Sequence, residues 1–121
     1  MLDDVKNRLY GLGFSSTAVD EWIITFCIDK ITNHIKNNCN VSEIPAGLHE
    51  VAVDLICGEY LYGKFNTGQL GDYSQAIQKI KEGDTDITYT SGMSDAELIK
   101  SLIATLQTRE IDFAAYRRIK W

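Results

Sequence analysis

Among 121 residues there is one proline, Pro45, and there are only two histidines, His34 and His49. So few histidines leave little room for a histidine-based metal or proton-transfer centre. Cysteine is scarce as well. Cys27, Cys39 and Cys57 are odd in number, and their spacings match no CxxC metal or redox pattern. Cys27 and Cys57 lie in apolar helical runs, where a thiol acts as a small hydrophobe. They are expected to be buried and unpaired, as in a reducing compartment. Cys39, in the polar run Asn37-Asn38-Cys39-Asn40, is expected at the surface. No apolar run approaches the roughly 20 residues that span a bilayer. The opening Met1-Leu2-Asp3-Asp4 is acidic and does not resemble a secretory leader. Net positive charge is also missing. With a net charge of -5, neutralising a phosphate backbone is not expected as the main activity.

Catalytic patterns are equally thin. His34 falls on the apolar side of a long helical run and is expected to be a core or half-buried structural residue. His49, beside Glu50, is expected in solvent. Neither has a Ser or Cys partner at a recognisable spacing. Asp84 and Asp86 form an Asp-x-Asp turn without the other ligands of a calcium loop. Gly68, Gly71 and Gly83 make neither a P-loop nor a GxGxxG pattern. The sequence therefore predicts no catalytic residue, no cofactor site and no metal site.

What is present is helical periodicity. The apolar share of 45% is that of an ordinary globular chain, and the length suits one domain, residues 1–121. Leu2, Val5, Leu9 and Tyr10 predict a short first helix, stopped by Gly11 and Gly13. Ser15, Ser16 and Thr17 offer cap oxygens for a second helix running to about residue 39. Its apolar positions Val19, Trp22, Ile23, Phe26, Cys27, Ile31 and Ile35, widened by Ile24 and Ile28, are too broad for a surface helix. They predict packing against two neighbours.

Pro45 suits the start of a third helix, with Leu48, Val51, Ala52, Leu55, Ile56 and Tyr60 at 3–4 spacing. Gly58 inside that helix implies close approach of another helix. Residues 66–73 read as a loop and 74–81 as one or two helical turns. Ile87-Thr88-Tyr89-Thr90 reads as a strand, and Ser94-Asp95-Ala96-Glu97 as a capping box opening a last helix. The expected fold is mostly α: a small bundle of about four helices with one short β-strand or hairpin near 82–92. One buried cluster should gather Trp22, Phe26, Ile31, Val51, Leu55, Ile56, Leu98 and Leu102.

Charge is segregated. Residues 109–121 hold four cations against two carboxylates, a net of +2, which leaves -7 on the remainder of the chain. Phe113, Tyr116, Arg117, Arg118, Lys120 and Trp121 are of the types enriched at interface hot spots, and they form the candidate partner interface. The bland alternative is a solvated helix end whose basic residues answer the helix dipole.

Three stretches resemble the head–tail connector (adaptor, head-completion) family of long-tailed phages and prophages. They are Ile44-Pro45-Ala46-Gly47-Leu48-His49-Glu50-Val51-Ala52-Val53-Asp54, Ile80-Lys81-Glu82-Gly83-Asp84-Thr85, and Asp112-Phe113-Ala114-Ala115-Tyr116-Arg117-Arg118-Ile119-Lys120-Trp121. The resemblance implies a non-enzymatic subunit of the virion neck, assembled in the host cytoplasm as a ring of about twelve copies. Its implied partners are further copies of itself, a portal protein and a downstream connector or tail-completion protein. DNA would pass through the channel without sequence-specific binding, and no membrane is involved. A small helical DNA-binding or regulatory protein is the alternative, and it would need a basic recognition helix. A ligand-binding or enzymatic helical domain would need convergent polar groups in a pocket.

Overall fold

The computed structural model describes residues 1–14, 21–68, 73–82 and 92–109, and among these every regular element is helical. Five α-helices follow in order: α1 (Leu2–Gly11), α2 (Glu21–Cys39), α3 (His49–Asn66), α4 (Ser74–Lys81) and α5 (Asp95–Gln107). A 3-10 turn, Ala46–Leu48, leads into α3. The mostly-α class therefore holds, with five helices where about four were expected, because the short run 74–81 is a helix of its own. The expected strand at 87–90 and the cap residues Ser15, Ser16 and Thr17 lie outside the described residues.

The third helix is the axis of the domain. It touches α1, α2 and α5, and every residue from 51 to 58 is buried. Continuous burial requires neighbours on all sides, and α3 has three. Gly58 allows one of them to come close. A Cβ there would meet Gln107 Cγ at 3.0 Å and Leu106 Cβ at 3.2 Å, so the absent side chain is where α5 seats itself. The expected close approach at Gly58 is thus observed.

Two other local signals hold as well. The Ser94 hydroxyl accepts the Glu97 N–H at 3.2 Å and caps α5. At the end of α1, Gly13 takes a left-handed φ of +99°, and the Phe14 N–H donates back to the Leu9 carbonyl at 3.0 Å. Gly13 is required twice over, because a Cβ would also meet the Ala76 backbone nitrogen at 2.5 Å, where α4 crosses the end of α1. The Lys79 ammonium fixes that crossing by donating to the Gly11 carbonyl at 2.9 Å.

The core takes Ile31, Val51, Leu55, Ile56, Leu98 and Leu102 from the expected cluster. It does not take Trp22 or Phe26, which are 70% and 64% exposed. The reason is geometric. The buried stripe of α2 is Ile24, Cys27, Ile31, Ile35 and Cys39. At about 100° per residue, Trp22 and Phe26 lie roughly 160° and 200° around the helix from Ile24, opposite that stripe. The helix does meet two neighbours, α3 and α1, but both lie on one side of it. Cys39 is fully buried at the foot of the stripe rather than at the surface, and His34 is exposed rather than in the core. Both corrections follow from the same rotation of α2.

Candidate functional site

A single charged residue is counted among the buried ones in the described structure: Asp54, 6% exposed, in the middle of α3. It sits in the apolar run Val51-Ala52-Val53-Asp54-Leu55-Ile56, where an unpaired carboxylate would cost several kcal/mol. Two arginines satisfy it. The Arg8 Nε–H, on α1, donates to Oδ1 at 2.9 Å, and the Arg109 guanidinium, just past α5, donates to Oδ2. Each arginine keeps more than a third of its side chain in solvent, so the guanidinium groups stay hydrated while the carboxylate does not. The result is a clamp joining three helices through one side chain.

Around the clamp runs an open cleft that also includes Asp4, Asn7, His49 and Glu50. His49 Nε2 lies 3.1 Å from Asp4 Oδ2, linking the first turn of α3 to α1. His49 is exposed, as expected, and His34 lies far along another helix, so the two histidines do not converge. A His–Asp pair can move a proton only toward a reacting group. No cysteine serves it, since all three are buried and none forms a disulfide. Cys57, one turn beyond Asp54, is fully buried. Burial pushes its thiol up to about 12, the Asp54 charge adds to this, and Arg8 opposes it. Its Sγ–H points to the Val5 carbonyl at 3.8 Å. Burial and then the charge of Glu59 raise Cys27 as well. These thiols stay protonated and act as packing groups. Among the described residues no three His, Cys, Asp or Glu side chains gather as a metal ion would need, and no helix is long and apolar enough to cross a membrane.

The second feature is the outer face of α2. Trp22 and Phe26, one turn apart, share it with Thr25, Asp29 and Asn33, all exposed. Neighbouring charges are engaged with the body: Lys6 with Glu21, and Lys30 with Glu59 at 2.6 Å. Lys30 is therefore turned toward α3. Sequence reasoning missed this face because it assigned both aromatics to the core. The available signal was the run from Trp22 to Ile28, whose six apolar side chains spread around the helix more widely than one contact stripe can absorb.

The residues named as a partner interface, Phe113, Tyr116, Arg117, Arg118, Lys120 and Trp121, lie outside the described residues. The structure does describe their point of departure, Arg109, held on Asp54. Comparison of the chain with protein-family models, with curated proteins and with solved structures gave no match.

Proposed function

We propose that this chain is a structural virion-assembly protein, a ring-forming head–tail connector subunit. It docks on a portal protein, continues the DNA channel, and offers an attachment surface to the next connector or tail protein. In this reading it performs no catalysis and needs no cofactor. The strand or hairpin expected near 82–92 belongs to the same reading.

The observation that carries it is a pair of unlike surfaces on one small body. A cyclic ring built by head-to-tail contacts needs two different, complementary patches on each subunit. Here the net-positive, aromatic segment 109–121 departs from a clamp at the α1–α3–α5 junction. The exposed aromatics Trp22 and Phe26 lie elsewhere, on the far side of α2. The clamp also ties the stretch of resemblance that ends at Asp54 to the root of the stretch that begins after Arg109. A net charge of -7 on the rest of the chain would keep passing DNA from adhering to a channel wall.

The test is the size of the full chain in solution. Light scattering and electron microscopy at rising concentration, with and without a portal protein of a long-tailed phage, should give closed rings of uniform subunit number. A chain that stays monomeric under every condition and binds duplex DNA in a salt-sensitive way would overturn the reading in favour of a small regulator.

A further inference from the structure

We infer that the outer face of α2 in one copy is the receptor for the C-terminal segment, residues 111–121, of the next copy. The inference deepens the ring reading and rests on it, since it names the two surfaces that would meet at each subunit boundary.

The α2 face is chemically lopsided. It presents two large aromatic rings, 70% and 64% exposed, and the carboxylate of Asp29 one turn from Phe26 and two turns from Trp22. The cations nearest it, Lys6 and Lys30, are committed to Glu21 and Glu59. Indole and phenyl faces attract guanidinium and ammonium groups, indole most strongly. A free carboxylate beside them orients an arginine fork. The C-terminal segment carries the counterpart set: Arg117, Arg118 and Lys120 for the rings and the carboxylate, with Phe113, Tyr116 and Trp121 to extend the apolar contact. Both sides combine aromatic area with opposite charge, the composition of an interface centre.

The point of departure favours a neighbour over the chain's own helix. Arg109 is fixed to Asp54 and so lies beside α1 and α3. The α5 helix packs on α3, whereas Trp22 and Phe26 point away from α3 on the opposite side of α2. A contact in which one surface receives a different surface of the next copy propagates in one direction and closes into a ring when the rotation permits.

Two full-length variants test this. One removes the receptor with Trp22→Ser and Phe26→Ser. The other disables the segment with Arg117→Glu, Arg118→Glu and Trp121→Ser. Circular dichroism should show both folded, because the receptor side chains are solvent-exposed. A labelled peptide of residues 111–121 is titrated onto the segment variant, then onto a chain carrying both sets of changes. Losing the receptor should weaken binding by at least about tenfold, the scale of an interface hot spot, and raised salt should weaken it further. Each variant alone should stay monomeric, while an equimolar mixture should form a complex of two chains that grows no further.

No peptide binding, or equal binding with and without Trp22 and Phe26, overturns the inference. So does self-association of the segment variant, which would mean that α2 faces pair with each other. Two variants that remain monomers when mixed point to docking of the segment on its own chain and also overturn it. Normal rings from the receptor variant would remove this interface and leave the connector reading standing. Peptide binding that depends on α2, in a wild-type chain that never closes a ring, would do the reverse.

Discussion

The second and third helices, 19 and 18 residues long, have a similar stock of apolar residues, yet they end up in opposite situations. In α3 the whole stretch from Val51 to Gly58 is buried, an aspartate included. In α2 one stripe is buried, and a tryptophan and a phenylalanine face solvent. The difference lies in neighbours rather than in composition. Three helices surround α3, while α2 has its two on one side. Apolar content alone therefore says that a helix needs cover, but not whether its own chain provides it. Where cover is incomplete, large exposed aromatics mark a surface that another molecule can use.

Several measurements would break or sharpen this contrast. The largest effect belongs to the axis of the domain. Leu55→Ala should cost about 2–5 kcal/mol in urea unfolding, since a cavity would open among three helices. A loss under about 0.5 kcal/mol would put Leu55 with the surface residues and undo the description of α3.

Asp54→Ala comes next. Removing one partner of a buried ion pair typically costs about 3–5 kcal/mol, but both arginines here remain partly hydrated, so about 2 kcal/mol is expected. Replacement by Asn, which retains one acceptor, should recover part of it. A neutral result for Asp54→Ala would mean that α5 is seated by Gly58 alone.

The cysteines give a kinetic version of the contrast. A thiol reagent should modify Cys27 on α2 before Cys57 on α3 in the native protein at pH 8, and both at once in denaturant, as read by mass spectrometry of the modified chain. The pH dependence has a definite sign. Cys57 ionises near 9.0 in the unfolded chain and near 12 in the folded one, so the unfolded state loses its proton first. Stability from this thiol is complete below pH 9.0 and drains away as pH climbs toward about 12. Cys57→Ala should flatten that decline; an unchanged slope would assign it to other groups.

The smallest effect on stability is expected at the most conspicuous residues. Trp22→Ser and Phe26→Ser should each shift unfolding by no more than about 0.5 kcal/mol, because neither packs on the core. A loss of 2 kcal/mol or more would mean that the aromatics are covered within the chain.

Much of the helical layout was legible because its signals are local. The bounds of α1, the Ser94 cap of α5, and the close approach at Gly58 each rest on backbone needs that a few adjacent residues reveal. The rotation of α2 was not legible, since the six apolar side chains from Trp22 to Ile28 spread widely around the helix and more than one stripe would have matched. His34 and Cys39 were misplaced with it. The Asp54 clamp was half visible. A carboxylate inside an apolar helical run demands a cationic partner, but nothing in the sequence says which, and the two arginines lie 46 and 55 residues away.

The clamp also decides how the molecule carries load. A tug on the C-terminal end meets the Arg109–Asp54 bond before it reaches α5. From there it passes into the helix that contacts α1, α2 and α5 alike. Tension is then shared by the whole bundle in shear, and α5 is spared the turn-by-turn peeling that an unlatched terminal helix suffers. On the proposed connector reading, genome and tail forces would enter at the centre of the domain instead of at its last helix.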